Sequence, residues 1–127
     1  MRYKEEMPSL PRLNRLFAPD GKCFDLAIDH GAFNQHDFLA GIEDMGKTVA
    51  AAIDAGPDAI QLSVGQAHFL QDAQVRPKPA LVLRLDTANV YTREVPGYLF
   101  AQTIGAPLEA ALRLDAACTV PGTACIP

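Results

Sequence analysis

Apolar positions recur along the chain with two spacings, one helical and one alternating, and the spacing switches several times. Leu10, Leu13, Leu16 and Phe17 recur at i, i+3, i+6 and i+7, which predicts a short helix with Ser9 as its cap. Pro19-Asp20-Gly21 ends it as a turn. In residues 23–29, Phe24, Leu26 and Ile28 share one parity, and smaller or acidic residues take the other. That pattern is a strand, and it stops at Asp29-His30-Gly31. A helix follows from Glu43 or Asp44, with Met45, Val49, Ala52 and Ile53 on one face and Gly56-Pro57 as its stop. Residues 59–64 read as a second strand, followed by Gly65 and a short amphipathic turn from Ala67 to Leu70. Pro77-Lys78-Pro79 breaks the chain before a third strand over 80–85, which ends at Asp86-Thr87. Residues 88–106 hold Pro96, Gly97 and Gly105 without a clear period, so a long loop with a little extended structure is expected there. Pro107 suits the first turn of a helix whose inner face is Leu108, Ala111 and Leu112. A fourth strand over 116–120 closes the series.

Strands alternating with helical crossovers predict an α/β fold with a parallel sheet and right-handed connections. Strands covered on both faces account for the nearly continuous apolar runs. Residues 52–60 are echoed by residues 111–119 as helix end, turn and strand start. Repeated units of this kind occur in barrels and in open sheets, and the echo does not choose between them.

The 127 residues are 49% hydrophobic and 20% charged, ordinary for a globular chain and enough for one domain at most. The net charge of −4 and the lack of a basic run speak against nucleic acid and anionic membrane as partners. A small phosphorylated ligand stays compatible, because local N–H groups and one Arg can hold it. No apolar run approaches the roughly 18 residues of a spanning segment, and the amino terminus leads into no apolar leader region. A soluble cytoplasmic protein is expected. Cys23, Cys118 and Cys125 lack metal-knuckle or redox spacing and read as reduced thiols.

Candidate chemistry collects at the carboxyl ends of strands in such folds. Those ends carry Asp29-His30-Gly31, Ser63-Val64-Gly65 and Asp86-Thr87. An acid at the end of a buried strand is partly desolvated and can exchange a proton near neutrality. Gly31-Ala32-Phe33-Asn34 is not G-x-G-x-x-G, so dinucleotide binding is disfavoured.

From about Arg12 to Thr119 the chain resembles the first half of the archaeal-type class I aldolases, the DeoC/LacD-like group with fructose-bisphosphate and autoinducer-2 type members. Arg15-Leu16-Phe17, Gly21-Lys22 and Leu26-Ala27-Ile28-Asp29-His30-Gly31 carry the likeness. It continues through Ala55-Gly56-Pro57-Asp58-Ala59-Ile60, Gly65, Pro79-Ala80-Leu81-Val82-Leu83-Arg84-Leu85 and Leu108-Glu109-Ala110-Ala111-Leu112-Arg113-Leu114. The resemblance implies part of a (β/α)8 TIM barrel, about four of its parallel strands with their crossover helices. It implies a lyase that makes or breaks a C–C bond of a ketose phosphate or related sugar phosphate through a lysine Schiff base, without a cofactor. By the resemblance Asp29 is the catalytic residue, in proton transfer or in orienting the substrate, and His30 after it contacts substrate or packs at the barrel mouth. Asp86, at a strand's carboxyl end, is a further substrate-binding candidate.

The Schiff-base lysine, the proton-donating tyrosine and the phosphate site of that family belong to the later half of the barrel. Lys4, Lys22, Lys47 and Lys78 all lie away from strand carboxyl ends, and Tyr91 and Tyr98 lie in the loop after the third strand. Residues 1–120 therefore read as the amino-terminal half of an aldolase barrel. Residues 121–127 read as an atypical tail, as truncation or a frameshift would leave, and the isolated chain is expected to be inactive. Asp115 stands where the family usually has a glycine, at a position that often needs a positive φ; Asp tolerates it better than most residues.

Two other readings compete. Asp29, His30, His36 and Asp37 fall within nine residues and could serve a metal-dependent lyase. A half-barrel that only assembles, pairing with another copy through its exposed sheet edges as a homo-oligomer, is the non-catalytic reading.

Overall fold

A helical crossover returns the chain to the same end of a sheet, so the strands it joins pair in parallel; the chain makes three such pairings among four strands. The computed structural model describes residues 10–91, 99–102 and 105–121. In chain order its elements are α1 (Pro11–Asn14), β1 (Asp25–Ala27), α2 (Met45–Asp54), β2 (Ala59–Ser63) and α3 (Ala67–Gln71). They continue with β3 (Ala80–Arg84), β4 (Asp86–Ala88), β5 (Phe100–Gln102), α4 (Pro107–Arg113) and β6 (Cys118–Val120). The main sheet runs β1-β2-β3-β6, parallel throughout. No described helix is long and apolar enough to cross a membrane.

Alternation along the strands gives the sheet two unlike faces. Ile28, Ile60, Leu62, Leu81 and Leu83 point to the side of α2, α3 and α4, where they meet Met45, Val49, Ala52, Leu70 and Ala111. Ile60, Leu62 and Leu83 are wholly buried, and each such side chain contributes about 1.5–3 kcal/mol relative to exposure. On the other face Ala59, Ala80 and Val82 pack against Leu16 and Ala117. Leu16, just after α1, thus covers the amino ends of β2 and β3.

Helix α2 follows the pattern of its residues. Asp44 accepts a hydrogen bond from the Lys47 N–H at 3.1 Å and caps the first turn. Met45, Val49 and Ala52 are buried, and Gly56 leaves the helix with φ +73°. The echo of this unit is structural as well. Asp115 occupies the position of Gly56 and takes φ +58°, and Ala111 is buried as Ala52 is.

Asp115 does more than tolerate that backbone. Its carboxylate accepts from both terminal nitrogens of Arg15, at 2.8 and 3.2 Å, with Arg12 3.8 Å away. Arg12 also donates to the Ala116 carbonyl at 2.9 Å. These contacts tie the α1 segment to the α4–β6 turn. The hydrogen bond from Arg15, helped by the charges of Arg15 and Arg12, holds the Asp115 carboxyl below its ordinary range despite a small opposing burial. The resulting stabilisation is present above the ordinary carboxylate range and is lost as pH falls through the lowered value. Its side chain is largely exposed, so the contribution is modest.

Two expectations are adjusted. The first strand is three residues rather than seven, because Asp29 already has φ −89° and ψ 36° and leaves the extended region. On α4, Leu108 and Leu112 are 72% and 58% exposed, so the sheet-facing position is Ala111 alone. The seven-residue helix presents only the centre of its apolar stripe to the sheet. The extended structure expected in the long loop is Phe100–Gln102, which pairs antiparallel with Asp86–Ala88. Ser9, offered as a cap, lies outside the described residues, as does Cys125.

Replacing Asp115 separates its two roles. Asp115→Ala should lose the tether and keep a Cβ at positive φ, whereas Asp115→Gly loses the tether but removes that strain. The alanine variant is expected to be less stable than the glycine variant by about 1 kcal/mol in urea titration.

Candidate active site

Parallel register aligns the face of the sheet turned away from α2, α3 and α4 into levels. Asp25 lies beside Ala59 and Ala80, and Ala27 beside Gln61, Val82 and Cys118. Ser63, Arg84 and Val120 form the level above. The Ile28 N–H bonds the Gln61 carbonyl at 3.1 Å, carrying the β1–β2 ladder one step past the strand. Asp29, two residues beyond Ala27, is therefore delivered to the carboxyl end of this face.

There Asp29 meets two residues that the sequence pattern alone did not mark. The Gln61 side-chain amide donates to Asp29 Oδ2 at 2.8 Å, and an Arg84 terminal nitrogen stands 3.9 Å from the same oxygen. Arg84 Nε donates to Asp86 Oδ1 at 2.9 Å, and the guanidinium carbon lies 5.5 Å from the centre of the Phe33 ring. Asp29, Arg84 and Asp86 are 5%, 8% and 7% exposed. Two carboxylates and one guanidinium thus share a buried cluster of net charge −1.

The cluster reaches further down β1. Burial first, and the Asp29 charge second, push the Asp25 carboxyl above its ordinary range. A raised carboxyl makes the folded state bind the proton more tightly than the unfolded chain does. Stability is therefore lost as pH rises from the ordinary carboxylate range through the raised value.

Above the cluster stands a rim of aromatic side chains. Phe33, Phe38 and Tyr91 touch one another edge to face, with centroids 5.1–6.0 Å apart. The Asn34 amide donates to the Asn89 side chain at 2.6 Å, so the segment after β1 is joined to the segment after β4. His30 opens the short 3-10 turn His30–Phe33, and its Nδ1 is buried without a hydrogen-bond partner among the described residues.

The candidate residues are placed as follows. Asp29 and Asp86 come together through Arg84, and His30 follows Asp29 in the chain. Asp86 gives one oxygen to Arg84 and begins β4. His36 and Asp37 are exposed on a second 3-10 turn, His36–Leu39. No described group of three or more His, Cys, Asp or Glu residues could hold a metal ion, so the ligand set Asp29, His30 and His36 is not assembled. His36 stands exposed on a separate turn. Lys22, Lys47 and Lys78 are exposed, and none sits at a strand's carboxyl end. Lys4 and Tyr98 fall outside the described residues. Gln61 and Arg84 left a faint signal in the sequence: each is a polar residue interrupting an apolar strand, on the same parity as Asp25 and Ala27.

The parallel four-stranded α/β sheet resembles part of a TIM-barrel aldolase fold. The family model of DeoC/LacD family aldolases matches residues 23–120, and the chain belongs to that family. An "uncharacterized aldolase" of Saccharolobus solfataricus is 34% identical over 88 residues, which is 68% of this chain and 31% of that protein. The crystal structure of an archaeal fructose 1,6-bisphosphate aldolase superposes with a TM-score of 0.51 at 25% identity, over 85% of this chain and 41% of that one. The chain therefore spans less than half the length of either relative.

Two variants test the electrostatics of the site. Arg84→Met leaves two buried carboxylates without their cation and should cost about 3–5 kcal/mol of unfolding free energy at pH 7. Asp25→Asn should stabilise the protein at pH 7, and the gain should vanish below the ordinary carboxylate range, where both states are protonated. Thermal unfolding across pH reads both effects.

Proposed function

We propose that this chain supplies the Asp29 side of a class I aldolase barrel acting on a ketose phosphate or related sugar phosphate. The observation that carries this reading is the Asp29 carboxylate, buried at the carboxyl end of β1 and held by Gln61 beside Arg84. In the proposed cleavage a lysine amine condenses with the substrate ketone and releases water. Asp29 accepts the proton of the substrate hydroxyl as the C–C bond breaks, and the bonding electrons pass to the iminium. His30, with its buried Nδ1 lacking a hydrogen-bond partner among the described residues, and Asp86, two residues past the end of β3, are proposed as polar contacts to substrate. No cofactor is required by this chemistry, and a cytoplasmic location suits it.

The reacting lysine is proposed to lie outside residues 1–120, in the later part of such a barrel. Lys22, Lys47 and Lys78 are exposed, and an exposed ammonium lacks the desolvation that makes a lysine nucleophilic. The chain by itself is thus proposed to bind substrate without forming the Schiff base. Borohydride reduction with dihydroxyacetone phosphate should yield no adduct. Amide NMR shifts on titrating the same compound should centre on Asp29, His30 and Arg84, and should disappear in Asp29→Asn. A covalent adduct on any lysine would overturn the inactive-alone reading, and absence of shifts around Asp29 would overturn the site.

The exposed Leu108 and Leu112, with β1 and β6 as the outer strands of the described sheet, favour a second, non-catalytic reading as an assembly half-barrel. Light scattering decides it: a homo-oligomer supports the reading, and a cooperatively unfolding monomer sinks it.

A further inference from the structure

We infer that Gln61 and Arg84 are positioning residues that reserve Asp29 Oδ2 and assign proton transfer to Oδ1. The inference deepens the proposed aldolase role of Asp29 and rests on it. Among the described residues, both side-chain contacts of the carboxylate fall on one oxygen. The Gln61 amide donates to Oδ2 at 2.8 Å, and the Arg84 nitrogen faces the same atom at 3.9 Å.

The two partners act differently. At 2.8 Å the amide takes up a lone pair of Oδ2 and fixes the plane of the carboxyl group. At 3.9 Å the guanidinium is beyond hydrogen-bond reach, so it adds positive charge without competing for that lone pair. Both effects disfavour a proton on Oδ2. A proton arriving at the carboxylate therefore goes to Oδ1, and Oδ2 becomes the carbonyl oxygen of the acid, still an acceptor. The Gln61 hydrogen bond thus survives both halves of a proton-transfer cycle, and the carboxyl group keeps one orientation throughout.

Arg84 can hold its place because it is itself fixed, by Asp86 at 2.9 Å and by the Phe33 ring at 5.5 Å. The charged and titratable groups around Asp29 are Arg84 and Asp86 at the β3–β4 corner, Asp25 below it on β1, and His30 next in the chain. An amide at position 61 has no titration of its own, so it adds no further pH dependence to this set. A carboxylate there would be a like charge within hydrogen-bond distance, and the pair would have to share a proton.

The test needs no substrate, so it stands or falls separately from borohydride trapping and ligand titration. In the wild-type chain the Gln61 side-chain N–H resonances should stay protected from exchange at neutral and at acidic pH within the folded range. Asp29→Ala should abolish that protection. Gln61→Glu should lower the folding equilibrium constant at least tenfold at pH 7 and recover it as the solution is acidified through the carboxylate range. Gln61→Met should show a deficit that does not recover in this way. Protection lost on acidification, or unaffected by Asp29→Ala, would overturn the assignment, as would identical pH profiles for the Glu and Met variants. If the Glu variant fails to fold, the wild-type resonances decide alone.

Discussion

A guanidinium buried at the end of β3 must be matched by negative charge close by, and that requirement organises the carboxyl end of this sheet. Arg84 is satisfied locally by Asp86, two residues on, and at a distance by Asp29. Strands β1 and β3 are not neighbours; β2 lies between them. Adjacent strands are about 4.8 Å apart, so the two backbones are separated by roughly 10 Å. The long Arg84 side chain spans that gap, and Gln61 on the intervening strand meets Asp29 on the way. One side chain therefore links the exit of β1, the β3–β4 corner and, through Phe33, the turn that follows Asp29.

The same face of the sheet is built differently along its length. At the amino ends of β2 and β3 it is Ala59 and Ala80, covered by Leu16. One level up it is Ala27, Gln61, Val82 and Cys118, and at the carboxyl end Asp29 and Arg84. Small apolar residues allow the covering segment to approach closely, and polar residues are kept for the level where strands give way to loops. A parallel sheet sends every strand's carboxyl end to one side, so polar groups from separate strands converge there without any long-range design of the loops. Asp25 is the exception to the gradient, and its raised carboxyl records the cost of placing an acid low on that face.

How much of this was legible depended on whether a residue's role was set by neighbours in sequence. Helix α2 was readable because Asp44, Met45, Val49, Ala52 and Gly56 each act within one or two turns. The acid at the end of β1 was readable from the strand that precedes it, and the positive φ at Asp115 only from the glycine that the resembled family usually has there. Gln61 and Arg84 were not, because their partner lies on another strand and register is fixed only when strands pair. Leu108 and Leu112 misled for a related reason: helical spacing defines a stripe but not how much of it meets the sheet. The ribbon of β4 and β5 joins two segments separated by the long loop, and no periodicity announces such a pairing.

The two ends of the sheet divide the work between them. At the turn leading into β6, Asp115 and the arginines of the α1 region form an exposed tether, one that salt and solvent weaken and that serves stability alone. At the carboxyl end, Asp29, Arg84 and Asp86 form a buried cluster in which desolvation offsets much of the Coulombic gain. Apolar residues of similar volume would serve folding as well or better in that place. A cluster that folding alone does not require, set where a parallel sheet gathers its reactive groups, is better explained by chemistry than by stability. That asymmetry, more than the presence of any one acid, is the physical argument behind the site proposed around Asp29.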